Sequence, residues 1–133
     1  MKAPITVDLQ GDILFYASGE DAALDLEPID VKEGCVAYDR DGNVLDVAVE
    51  PIEITQSFLG IRRKMTIDKV VLRARTPRVQ NDEVLVRKIR QFLLSAVASG
   101  HIKSGSNIQN ASLSDLMDGI ETYGLIKINR GRD

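Results

Sequence analysis

Apolar and polar residues alternate from the start of the chain. Ile5, Val7 and Leu9 are separated by Thr6 and Asp8, the period of two expected of a half-buried strand. Gly11-Asp12 predicts a tight turn and residues 13–17 the returning strand, so the chain opens on a hairpin. Ser18 stands where a helix cap is favoured, with Asp21 three residues on. A short helix is predicted over 22–26, ended by Pro28, which biases Glu27 away from helical dihedrals. Gly34 precedes a third strand at 35–38. Asp39-Arg40-Asp41-Gly42-Asn43 reads as a turn, because aspartate favours turn entry and Gly42 accepts a positive φ. Residues 44–49 form the strand that returns from it. Residues 52–54 and 65–74 read as two further strands, with Phe58-Leu59-Gly60 between them, and Thr76-Pro77 closes the strand region.

The period then changes. Leu85, Ile89, Phe92, Leu93 and Ala96 make one apolar stripe of a helix over 82–99. Asn81 is placed as its cap, Asp82 and Glu83 lie at its positive end, and Gly100 ends it. Residues 103–107 are small and polar and read as a mobile connection. Ser112, with Asp115 three residues later, starts a second helix over 112–123 whose apolar face is Leu113, Leu116, Met117 and Ile120; Gly124 stops it. Residues 125–128 add a last short strand, and 130–133 are expected to fray.

Strands early and helices late give an α+β class. The expected architecture is a single domain: a mostly antiparallel sheet of about six or seven strands with helices on one face. Those helices are a short early one, one long one and a C-terminal helix packed on it. Residues 1–100 read as the α+β core and 101–133 as a C-terminal helical appendage of the same domain. A chain of 133 residues is the size of one ordinary domain. Cys35 is the only cysteine, so no internal disulfide forms, and a reducing compartment is favoured. The first residues lack the apolar core of a signal peptide, and no apolar run approaches a membrane span, so the expected location is cytoplasmic with no membrane partner. Three Phe, three Tyr and no Trp imply an aliphatic core and argue against stacking on single-stranded nucleic acid.

Charge changes the picture. Residues 1–60 carry thirteen acidic side chains against three basic ones, a net −10. Residues 61–90 carry ten basic against three acidic, a net +7, and the remainder is balanced. The overall −3 hides this split, and separated fields of that kind steer partners.

Reaction chemistry is not legible. Counted from Asp39, a calcium loop would need Gly at the sixth place, where Val44 stands; Gly42 is fourth, and the flanks read as strands, so the segment is a hairpin turn. His101 is the only histidine and follows a helix end, where contact with the helix C-terminus is the expected role. One His and one distant Cys do not make a metal site, so no metal and no cofactor are expected. Cys35 reads as a small buried residue. No phosphate-loop or dinucleotide pattern occurs. The paired carboxylates have no supporting nucleophile or base, and the chain is not read as an enzyme.

Two charged surfaces remain. With Ala22, Ala23 and Leu24 anchoring the early helix, Glu20, Asp21, Asp25, Glu27, Asp30 and Glu33 form an acidic patch on that helix and the loop after it, of the kind that occupies a basic cleft on another protein. Arg62, Arg63, Lys64, Arg73 and Arg75 form a basic alternative suited to nucleic acid or a phosphate ligand. Charge opposition also permits a homodimer or a head-to-tail assembly.

The stretch Asp25-Leu26-Glu27-Pro28-Ile29-Asp30-Val31, followed by Cys35-Val36-Ala37-Tyr38-Asp39-Arg40-Asp41-Gly42-Asn43-Val44-Leu45, resembles a pattern in small bacterial proteins. In these a helix leads into Glu-Pro-x-Asp-Val and then a Tyr-Asp-x-x-Gly hairpin. Some are encoded near polymorphic toxins and contact-dependent or secretion-delivered effectors. The resemblance covers roughly residues 11–100. It implies an immunity-type protein that binds and neutralises a toxin, and it carries no catalytic residue across. The function expected from the sequence is therefore non-enzymatic occlusion of a basic toxin domain by the acidic surface, with nucleic-acid or phosphate-ligand binding through the basic segment as the alternative.

Overall fold

A computed structural model describes residues 1–103 and 107–127. The strands are β1 (Ile5–Leu9), β2 (Asp12–Tyr16), β3 (Val36–Tyr38), β4 (Val44–Phe58), β5 (Ile61–Ala74) and β6 (Ile126–Lys127). The helices are α1 (Gly19–Asp25), α2 (Pro28–Lys32), α3 (Asp82–Ala98) and α4 (Leu113–Thr122), with a 3-10 turn at Ile108–Asn110. The six strands form one sheet in the order β5-β4-β3-β1-β2-β6, antiparallel except where β6 runs parallel to β2. The α+β class holds.

The helices do not share one face. Along β2 and β3 alternate residues enter two separate cores, while β1 feeds only the first. Ile5, Val7, Tyr16 and Ala37 pack with Ala22 and Leu26 of the α1 segment, whereas Phe15 and Tyr38 pack with Leu85, Ile89 and Leu93 of α3 and Leu116, Met117 and Ile120 of α4. A sheet covered on both faces is the reason β2 and β3 are apolar on both sides. The expectation of helices on one face fails because the early helix and the late helices pack on opposite sides. The segment after residue 101 contributes Ile102 and Ile108 as well as α4 to the α3 side of the core.

Local boundaries follow local chemistry. The first turn is Gln10-Gly11 (φ 51° and 104°) rather than Gly11-Asp12, since Asp12 already pairs with Leu9. Asp39 is buried and fixes the β3–β4 turn: its carboxylate accepts the Asp41 and Asn43 backbone N–H groups, each at 3.0 Å. Ser18 and Ser112 cap α1 and α4, while Asn81 precedes α3 without a side-chain capping bond. As expected, the early helix ends before Pro28 and Glu27 is extended, but Pro28 also opens a second helix, α2, where a missing N–H costs nothing, so the Glu27–Glu33 stretch is not a loop. Residues 44–49 and 52–54 belong to one strand. Beyond Leu45 no strand lies on the far side of β4 among the described residues, so Pro51 occupies a tolerated edge position. β5 starts at Ile61, not at Met65, and pairs with β4 back to Phe58 across a Leu59-Gly60 turn. The final strand is Ile126–Lys127. The expected ends of the polar connection and of the chain, at 104–106 and 128–133, lie outside the described residues.

Polar ties hold the helices on the sheet. The Lys88 ammonium of α3 lies 2.7 Å from the Asp8 carboxylate of β1 and 5.2 Å from the centre of the Tyr38 ring. Arg40, in the β3–β4 turn, pairs with Asp118 and Glu121 of α4. Burial works to raise the Asp8 carboxyl, but hydrogen bonds from Lys88 and the Gly11 N–H outweigh it and hold the group below its ordinary 3.8. Burial likewise works to lower Lys88, and its bonds to Asp8 and Tyr38 hold it above its ordinary 10.5.

Two stability measurements check this framework. Lys88→Met leaves Asp8 largely buried without its partner and should cost about 2 kcal/mol in urea unfolding at neutral pH. Asp8 contributes fully above its ordinary value, and its share is lost as the pH falls through the lower folded one. Lys88 contributes fully below its ordinary value, and its share is lost as the pH rises through the higher folded one. The gap between wild type and variant is therefore flat between these limits and closes outside them; a gap unchanged at strongly acid pH would contradict the assignment. Gly42→Ala places a Cβ 2.8 Å from Asp82 Cα at a φ of 84° and should cost about 2 kcal/mol or more by the same assay.

Candidate functional site

The six predicted acids come together on two short consecutive helices that cover one sheet face. Ser18 starts α1, accepting the Asp21 N–H at 3.0 Å, and Ala22 and Leu26 anchor the segment in the core. Two of the six carboxylates hold this local structure. Asp25 accepts the Tyr16 hydroxyl at 2.6 Å, and Asp30 accepts the Glu27 N–H at 2.8 Å, closing the start of α2. Glu20, Asp21, Glu27 and Glu33 enter no ion pair among the described residues. The negative field is felt inside: burial first, then Asp30, pushes the Cys35 thiol above its ordinary value, which leaves it protonated and unreactive near neutrality. Burial and the bond to Asp25 push Tyr16 upward in the same way.

Two apolar side chains of the patch face solvent: Leu24, which the sequence places as an anchor of the short helix, and Ile29, which it does not single out. Leu24 of α1 is 59% exposed and Ile29 of α2 is 51% exposed. Large apolar residues amid unpaired carboxylates resemble the anchors and charged surround of a protein interface more than a purely solvated helix face. Leu24 also borders a groove of about 420 Å³ between α1 and the β5 edge, which Glu20, Lys69 and Arg73 share.

The basic alternative is not brought together. Strand alternation puts Arg62 and Lys64 on the face that α1 covers further down β5, and Arg63, Arg73 and Arg75 on the opposite one. Arg62 and Arg73 are eleven residues apart along one strand, about 35 Å. Arg73 pairs with Glu50 and Arg75 with Asp46 at 2.7 Å, so β4 neutralises both. Lys88 is committed to Asp8, and Arg90 donates to the Ile108 and Ala111 carbonyls at 3.2 and 3.1 Å. What remains unpaired near the hairpin end is Arg62 and Arg63, with Lys64 in a loose 3.7 Å contact with Glu53.

Other candidate chemistry is structural. Ser99 Oγ lies 2.7 Å from His101 Nδ1 and within hydrogen-bond distance of the Ser95 and Ala96 carbonyls, so both side chains sit at the C-terminal end of α3. Asp8 and Lys88 line a cavity of about 400 Å³, yet each stabilises the other's charged form, which removes both from proton transfer near neutral pH. Among the described residues no cluster of three His, Cys, Asp or Glu side chains could hold a metal, and no helix is long and apolar enough to cross a membrane. No protein-family model matches the chain, and neither a curated protein nor a solved structure does.

The two kinds of acid separate in a stability assay. Asp25→Ala should lower unfolding free energy by about 1–2 kcal/mol, because it strands the buried Tyr16 hydroxyl. Glu20→Ala should change it by about 0.5 kcal/mol or less. Equal effects in urea unfolding would show that the division is wrong.

Proposed function

We propose that the protein is a non-enzymatic binding protein that neutralises a basic partner, a bacterial toxin domain, by covering it with the α1–α2 surface. One observation carries the reading: four carboxylates outside any ion pair and two exposed aliphatic side chains share two adjacent short helices. The aliphatic side chains supply the desolvated anchor, and the carboxylates supply steering and discrimination. The resemblance of residues 25–45 to immunity-type sequences supports the same class, and those residues include all of α2 and the last residue of α1. The nucleic-acid reading through Arg62, Arg63, Lys64, Arg73 and Arg75 has less support, since two of the five are neutralised and the rest are divided between two faces.

The test is capture from native bacterial lysate on the immobilised protein, at low and moderate salt, with Glu20→Lys/Glu27→Lys/Glu33→Lys in parallel. A stoichiometric basic protein, released by salt and lost on the triple reversal while the variant still melts cooperatively, is the expected outcome. Equal capture by the reversed variant would overturn the reading, and retained nucleic acid would transfer it to the basic segment.

A further inference from the structure

The β4–β5 hairpin outruns the helices that cover its base. Every residue from Ile61 to Lys69 is exposed, as are Thr55 to Phe58 on the other strand. From Pro51 and Asp68 outward the two strands project about 25 Å. The register places Ile52, Ile54 and Phe58 opposite Ile67, Met65 and Ile61, so these six side chains lie on one face of the arm, interrupted by the Gln56–Arg63 pair. The other face carries Glu53, Thr55 and Ser57 opposite Thr66, Lys64 and Arg62 and is polar. A two-stranded ribbon with one mostly apolar face left to solvent is marginal in water unless something covers it.

The tip sharpens this. Phe58, Leu59 and Ile61 are 76%, 85% and 68% exposed. Leu59 sits at φ 51° and Gly60 at φ 76°, a two-residue turn in which asparagine, not leucine, is favoured at the first place. Backbone preference and water both oppose Leu59. Neither local folding nor solubility accounts for it, whereas contact with another surface does.

The chemistry of that surface is set by charge. No acid lies between Glu53 and Asp68, and Arg62, Arg63 and Lys64 follow the apolar tip directly. The same chain offers the complement, the exposed Leu24 and Ile29 among the free carboxylates of α1 and α2. The two cannot meet within one molecule. α1 packs beside Val70 and Leu72, and the tip is nine residues further along β5, about 30 Å away.

We propose that the arm tip of one copy docks on the α1–α2 face of a second copy. Phe58, Leu59 and Ile61 meet Leu24 and Ile29, and Arg63, which shares the strand face of Phe58 and Ile61, meets the carboxylates, with Arg62 and Lys64 flanking the contact from the other face. Each chain carries both halves of the contact, so reciprocal docking closes a pair. The inference uses the acidic face of the proposed function but needs no toxin; a basic partner would compete with the arm for that face.

The experiment uses two variants. An arm variant, Phe58→Ser/Leu59→Asn/Ile61→Ser, keeps the turn, since asparagine suits it. A face variant carries Glu20→Lys/Glu27→Lys/Glu33→Lys. Circular dichroism melts establish that both fold. In sedimentation velocity at low salt, the wild type should self-associate with rising concentration and dissociate as salt is raised. Each variant alone should associate roughly thirtyfold more weakly or worse. An equimolar mixture of the two variants should form a one-to-one heterodimer, because the intact arm of the face variant meets the intact face of the arm variant. A wild type that stays monomeric, an arm variant that associates like wild type, or a mixture without heterodimer would overturn the proposal. So would a monomeric wild type that binds anionic phospholipid vesicles through the tip, which would give the arm to a membrane surface. Capture of a basic protein by the arm variant bears only on the proposed function, so the two readings fail separately.

Discussion

Continuous pairing of β4 with β5, fourteen register pairs from Leu45↔Ala74 to Phe58↔Ile61, is the interaction on which the rest of this molecule depends. At its base the ladder is pinned by burial: Leu45, Val70 and Leu72 enter the core on the α1 side, and a one-residue slip would move them to the wrong face. An antiparallel ladder carries its register outward once set. The base therefore dictates which side chains share a face at the far end, well beyond anything that packs there. The apolar stripe and the tip cations owe their placement to a core they do not touch.

The same register disposes of much of the charge. Asp46 faces Arg73 and Glu50 faces Lys69 across the ladder, and the ion pairs Arg73–Glu50 and Arg75–Asp46 follow from it. Exposed pairs of this kind add little stability, but they cancel field locally. Two poles are left, the carboxylates of α1 and α2 over the base of the hairpin and the cations at its tip. Their separation comes from the length of the strands, not from composition.

Interior polar ties serve a different end. Lys88 with Asp8, and Arg40 with Asp118 and Glu121, hold α3 and α4 on the sheet face opposite α1 and α2. With both faces of the central strands covered, the body is a fixed platform. An acidic face and a projecting arm on such a platform present their side chains in set directions.

Much of the fold was legible locally, because periodicity and turn chemistry act over a few residues. The opening hairpin, the Asp39 turn, the Ser18 and Ser112 caps, α3, α4 and the α+β class all follow from the sequence, as does the grouping of the six acids in one segment. The sequence also held the signal for the arm, two apolar residues flanking Leu59-Gly60, but pairing over fourteen positions is non-local, and the local pattern breaks it into separate short strands. Pro51 misled for the same reason: whether a missing N–H breaks a strand or falls harmlessly at its edge depends on neighbours that only the assembled sheet supplies. Net charge by segment was fixed in the chain itself. Which charges cancel, which stand apart, and that Leu24, Ile29 and Leu59 are left to solvent were decided by tertiary structure, since exposure and ion pairing depend on distances in space that linear order does not encode.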